Sequence, residues 1–219
     1  MAGRKEELSG KPKPRKRDAS RSRGLILQAA LEEFSEHGHS GARVDRISRR
    51  AGVSKPLIYD YFGDKDAIYA AALKESYVQI RQAESELDFD SVDPEEAIRK
   101  LVRFTLGHFR EKPWFIAMLN TENLRGGSTI RTLEDAAGVQ SVLLQRLTEI
   151  LRRGADQGVF RDNVDPRDFY VSIASLCWFP VSNRFTLASV FGLEMDDEWY
   201  AQRAETAAEM LVAHLKNPA

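Results

Sequence analysis

One cysteine, Cys177, stands in 219 residues, which excludes an intrachain disulfide and any thiolate cluster for a metal. Histidine is scarce too: His37, His39, His108 and His214 are the whole set. Only His37 and His39 lie close together, flanking Gly38 in a turn, where they converge on a metal only with acidic or cysteine help. No metal is expected. No apolar run approaches the ~18 residues that a bilayer crossing needs. The basic N-terminal residues are not followed by the apolar stretch of a secretory signal. A cytoplasmic protein with no membrane contact is expected. The chain also lacks G-x-G-x-x-G, G-K-[ST] and G-x-S-x-G, the loops that cradle phosphates or carry a nucleophilic serine. The carboxylate pairs Glu32-Glu33 and Asp196-Asp197 read as solvated faces rather than acid/base couples. The expectation is a protein with no cofactor and no catalytic activity. Alternating apolar and polar stretches bounded by turn residues are missing as well, which excludes strands.

Charge, in contrast, is plentiful and unevenly placed. The net charge of −1 conceals 15 Lys/Arg against 9 Asp/Glu in residues 1–65 and 17 against 24 in the remainder. A basic end joined to an acidic body suits a polyanion at one end only. Nine of the basic residues fall within positions 1–23, with Lys11 to Arg17 (KPKPRKR) at the centre. Residues 1–20 have almost nothing apolar to bury and read as a disordered basic tail.

The rest of the chain repeats helical spacing. A first helix runs from about Arg21 to His37, with Leu27, Ala30, Leu31 and Phe34 inward and Glu32, Glu33 and Glu36 outward. Gly38 ends it. Short helices follow from Val44 to Ala51 and from Ser54 to Tyr61. Asp64 caps a longer one from Lys65 to about Leu87. Asp93-Pro94 and Asp165-Pro166 each open a helix, since proline is welcome at the first helical position. Lys112-Pro113 separates two more. A long helix is expected from about Thr129 to Arg153, another from 165 to 190 bent near Pro180, and a last one from Asp196 to Leu215. The fold class is therefore all-α, with about nine helices. Its expected divisions are the tail (1–20), a helix-turn-helix DNA-binding domain (21–66) and a helical ligand-binding and dimerisation domain (67–219).

The function-bearing segment is Val44 to Phe62, VDRISRRAGVSKPLIYDYF. Ile47, Ala51, Val53 and Ile58 stand where two helices of a helix-turn-helix pack together, and Gly52 stands where the tight turn needs a positive φ. Ser54 caps the second helix, leaving Lys55, Pro56, Leu57 and Tyr59 to face outward from its first turns. A helical hairpin with a glycine turn has the same outline. What separates the two is a third helix with Ala29, Ala30 and Phe34, a basic tail upstream, and Gly63-Asp64-Lys65 directly after.

The run from Ile26 to Leu73, ILQAALEEFSEHGHSGARVDRISRRAGVSKPLIYDYFGDKDAIYAAAL, resembles the DNA-binding domain of tetracycline-repressor-type (TetR) regulators. The resemblance implies a homodimer whose two recognition helices enter successive major grooves of a palindromic double-stranded operator. It also implies a C-terminal domain gated by a small-molecule effector, so that the protein acts as a repressor released on binding, or as an activator of the same fold. Carried over position by position, Lys55, Pro56, Leu57 and Tyr59 are the groove-facing residues. Arg43, Tyr61 and Lys65 are phosphate contacts, joined by the helix starts at Val44 and Ser54. Asp60 departs from the family, which more often has an aromatic or histidine there. A carboxylate accepts from cytosine N4 or orients a nearby cation. A helical interaction module with a basic tail is the competing reading.

Over the C-terminal half the likeness is to the pyrimidine-catabolism-regulator subgroup, carried by the stretch from Asp165-Pro166 through Ser182-Asn183-Arg184-Phe185 to Gly192. The resemblance implies a dimer built from the last two long helices, for which Trp199, Ala204, Ala208 and Leu211 are the candidate interface. The candidate effector pocket comprises Phe104, His108, Trp114, Phe115, Met118, Asn123, Trp178 and Asn183. It joins aromatic residues at helical spacing with polar groups on apolar faces, which need partners.

Overall fold

The computed structural model describes residues 16–133 and 136–216, and the side chains of 19–133 and 142–216. The part of the basic tail before Lys16 lies outside the described residues. Ten α-helices and one short 3₁₀ turn, with no strand among the described residues, form a small head and a larger body.

In the head, α1 (Lys16–Gly41) begins earlier than expected, so that Lys16 to Ser20 are its first turns rather than part of an unstructured tail. The chain leaves helical geometry at Gly38 (φ 63°, ψ 178°) and closes one further turn at Gly41. Leu27, Ala30, Leu31 and Phe34 are buried as expected. Ile26, Ala30, Leu31 and Phe34 meet Val44, Ile47 and Ala51 of α2 (Val44–Ala51) and Ile58 of α3 (Lys55–Phe62). Gly52, at φ 66°, turns α2 into α3, and its N–H reaches the Arg49 carbonyl. A side chain at that φ is strained, which is why the turn carries glycine. α4 (Lys65–Ser85) starts on the Asp64 cap, whose carboxylate accepts from Ala67 N–H at 2.8 Å, and it runs out of the head into the body.

The body holds α5 (Pro94–Glu111), α6 (Pro113–Leu124), α7 (Ala136–Asp156), α8 (Pro166–Ser182), α9 (Arg184–Phe191) and α10 (Asp197–Leu215). α5 is central: it packs most extensively along α10, and also against α8 and α7. Its inner face, with Ile98, Leu101, Val102 and Phe109, shares one core with Ile173, Cys177, Ala208 and Leu211. Gly154 lies inside α7 because Phe160 lies against it, and a Cβ there would sit 1.9 Å from the Phe160 ring.

Two helix boundaries differ from the sequence reading. The helix expected from Thr129 is a 3₁₀ turn (Ile130–Thr132) followed by extended backbone at Leu133. The buried Glu122 carboxylate accepts the N–H groups of Thr129 and Ile130 at 2.6 and 2.9 Å, fixing the chain in that turn instead of an α-helix. The helix expected through 190 divides at Asn183, three residues after Pro180 removes a backbone donor inside α8. α9 then stands largely off the body, with no buried residue.

Candidate nucleic-acid interface

Ser54 adopts extended backbone, and its Oγ accepts from Leu57 N–H at 3.4 Å, so α3 begins where the sequence places it. With Ile58 buried beneath it, α3 turns Lys55, Pro56 and Tyr59 outward and leaves Leu57 half-buried. Lys55 Nζ is held by Asp45 Oδ1 at 2.8 Å and lies 6.0 Å from the centre of the Tyr59 ring. That hydrogen bond holds the Asp45 carboxyl below its ordinary range and raises the Lys55 ammonium above its own.

The expected phosphate contacts divide. Arg43 is exposed at the start of α2, where no side chain caps the helix. The α2 N-terminus therefore presents N–H groups and a positive dipole end to an anion. Lys65 Nζ donates to the Ser40 carbonyl at 3.3 Å, and Tyr61 is half-buried. The Val44 side chain, only 7% exposed, belongs to the head core, so Val44 can meet DNA only through its backbone, the part expected to do so. Its position as the first residue of α2, packed with Ile47 and Ala51, accounts for the burial.

The sequence reading also missed residues. Arg23 on α1 lies 4.5 Å over the Phe62 ring and donates to the Tyr61 carbonyl at 3.4 Å, tying the first helix to the end of α3. Glu33, expected outside, is wholly buried; it accepts from Arg46 Nε at 2.6 Å and from Arg43 N–H at 2.9 Å. Glu36 is gripped by both terminal nitrogens of Arg50. His37 and His39 do not converge: His39 pairs with Asp66 at 2.6 Å, while His37 lies 3.9 Å from Glu33 and 3.6 Å from Glu36. Glu33, Glu36 and His37 are thus the acidic cluster that the sequence lacked, but Arg46 and Arg50 already occupy its carboxylates.

In the body the candidate pocket residues scatter. Phe104 and His108 face each other with ring centres 5.6 Å apart and line a cleft of about 520 Å³ between α4 and α5, beside Gln79 and Gln82. Phe115 meets His108 edge to face with ring centres 6.0 Å apart, and Trp114 lies edge-on to Phe115. Trp178 is half-buried against the body core. Three residues are corrections. Met118, wholly buried, enters the core of the head. Asn123 is exposed and bonds back to the Leu119 carbonyl, and Asn183 bonds to the Phe179 carbonyl where α8 ends. Burial, followed by the charges of Lys112 and Arg81, pushes the His108 imidazole down to about 4, so it is neutral near pH 7. Missed was the half-buried Arg81 of α4, which pairs with Glu84 and reaches the Tyr170 hydroxyl at 3.4 Å.

The candidate interface on α10 is also corrected. Ala204, Ala208 and Leu211 are buried in the protomer's own core with α5, while Trp199 is half-buried and packs edge-on to Tyr200 at the side of that core. Small residues there let α5 and α10 approach closely. Uncovered apolar side chains lie elsewhere: Val171 and Phe179 on α8, Phe185, Val190 and Phe191 on α9, and Met210 on α10, besides Leu124 on α6, Val142 on α7 and Leu25 on α1.

Comparison with known proteins accounts for both parts. Residues 26–72 match the family model described as bacterial regulatory proteins, tetR family, and residues 94–211 match the tetracyclin repressor-like C-terminal domain. The chain is 36% identical over 184 residues to the HTH-type transcriptional repressor NicS of Pseudomonas putida, covering 84% of this chain and 87% of that one. It is 25% identical over 203 residues to the regulator RutR of Escherichia coli, covering 92% and 94%. The fold is shared with a crystal structure of the regulator FadR from Bacillus subtilis in complex with stearoyl-CoA, at TM-score 0.65 and 20% identity, covering 88% of this chain and 98% of that one. No described helix is long and apolar enough to cross a membrane. This chain belongs to the TetR family of DNA-binding transcriptional regulators.

Proposed function

We propose that the protein is a repressor that binds a two-fold operator as a homodimer and leaves it when a small molecule enters the body. The observation that carries this reading is α3: a Ser54-capped helix whose first turns turn Lys55, Pro56 and Tyr59 to solvent beside the uncapped start of α2. A helix offered in this way fits the major groove, with phosphates held at the helix N-termini. The relatives NicS and, at 26% identity over 90% of this chain, SCO4008 of Streptomyces coelicolor are named repressors, which favours repression over activation.

The second copy is assigned to the exposed face of α8, where Val171 and Phe179 flank the small Ser175, continued by Met210 on α10 and by α9. Residues four apart on one helix face give a seam that a two-fold partner can cover. The effector is assigned to the cleft beside Phe104 and His108, where His108 Nε2 is buried without a partner.

The test is selection of bound DNA from a random-sequence pool, followed by gel shift at several salt concentrations. A two-fold consensus with half-sites about 34–36 Å apart is expected. Enrichment of no sequence, with binding that depends on charge alone, would leave a helical interaction module with a basic tail.

A further inference from the structure

Lys55 is the first residue of α3, and an ammonium on four methylenes can reach bases and phosphates alike. In this head it is not free to choose. Asp45, across the helix-turn-helix on the first turn of α2, holds Nζ at 2.8 Å, and the centre of the Tyr59 ring is 6.0 Å from it. Arg43 and Arg49 also act on the Asp45 carboxylate, yet its hydrogen bond goes to Lys55. Both partners are substantially exposed, at 44% and 65%, and an exposed pair of this kind adds little to stability. Its effect is on where the cation points.

An ammonium has three N–H donors. It can stay bonded to Asp45 while donating to an uncharged acceptor such as guanine O6 or N7. Donating to a phosphate instead brings a second anion against the first, and the carboxylate opposes that contact. We propose that Asp45 is a positioning residue for specificity, holding Lys55 for base edges and disfavouring binding through phosphates alone. This inference rests on α3 being the recognition helix.

The test uses the full chain and the operator selected by the wild-type protein, compared with random duplex of equal length. Asp45→Asn is expected to tighten random binding and to steepen log K against log salt by up to ~0.9, since one more cation is free for phosphate. The ratio of specific to random binding is expected to fall on the order of tenfold, the size of one base contact. Asp45→Glu, which restores a carboxylate, is expected to recover most of that ratio. In a Lys55→Ala background, Asp45→Asn should leave the base preference unchanged. A role limited to stabilising the start of α2 would lower the melting temperature and leave the ratio alone, which would overturn the proposal. An Asp45→Asn effect on base preference that persists without Lys55 would overturn it too, because the carboxylate would then be reading DNA itself. Should Asp45→Asn not fold, Asp45→Ser gives the same comparison. A wild-type protein that selects no operator overturns the recognition-helix reading itself.

Discussion

The Glu33 carboxylate, wholly buried in the head, takes Arg46 Nε at 2.6 Å across the joint between α1 and α2. It also takes the Arg43 N–H, so one side chain of the first helix fixes the start of the second. Arg46→Ala removes the ionic partner and leaves a buried charge. The cost is expected at about 2–4 kcal/mol, toward the lower side because Arg46 is itself partly exposed. Urea unfolding of the wild type and variant measures it. A change below about 0.5 kcal/mol, the range of ordinary surface substitutions, would mean that water replaces the guanidinium at no loss.

The body contains two titrations of opposite sign. Burial raises the Glu84 carboxyl to about 7 against the opposing charges of Arg81 and Arg146, and burial lowers the His108 imidazole to about 4. Folded Glu84 keeps its proton above the pH at which the unfolded chain loses it. Its contribution therefore falls as pH rises from about 4.5 to 7 and stays lost above that. For His108 the unfolded chain takes the proton first, so stability is gained as pH rises from about 4 to 6.5. Wild type minus Glu84→Gln is expected to drop by about 3 kcal/mol between pH 4.5 and 7.5. Wild type minus His108→Phe should rise over the lower window. Urea midpoints at four pH values separate the two, and parallel curves for all three proteins would show that neither group is perturbed.

The proposed dimer seam on α8 and the packed inner face of α10 can be tested separately. Val171 and Phe179 are 60% and 52% exposed, whereas Ala208 is fully buried between α10 and α5. The double variant Val171→Asp, Phe179→Asp is expected to sediment as a folded monomer with weakened operator binding. Ala208→Asp puts a charge into the core and should unfold the body rather than divide the dimer. A folded Ala208→Asp monomer would return the interface to the inner face of α10.

The readability of these features followed periodicity. The head was legible because its signals are local: Gly52 at the turn, Ser54 at the cap, and apolar residues at helical spacing all coincide with the structure. Glu33 was not, because its reason for burial lies ten and thirteen residues away in Arg43 and Arg46. Ala204, Ala208 and Leu211 form a face that suits any close helix, and spacing alone does not say whether that helix is α5 of the same chain or a partner. The 3₁₀ turn at Ile130 depends on the carboxylate of Glu122, and the division of α8 from α9 on its geometry at Asn183; neither leaves a periodic trace.

Met118 misled for a similar reason, and its true place bears on coupling. On α6 it is apolar among apolar neighbours, which suits a pocket, yet it is wholly buried among head residues that include Phe34 and Tyr69. α6 packs closely along α1. Four residues on, Glu122 holds the turn at Thr129 and Ile130, and Arg125 lies 5.4 Å over the Tyr69 ring. Head and body are thus joined by a packed side chain as well as by the continuous α4, and the two should unfold together. Met118→Ala leaves a cavity at that joint, with an expected loss of about 2–4 kcal/mol. The loss falls on the cooperation between the two cores rather than on either alone, so calorimetry should replace one transition by two. A single transition lowered by the same amount would mean that α4 carries the coupling without α6.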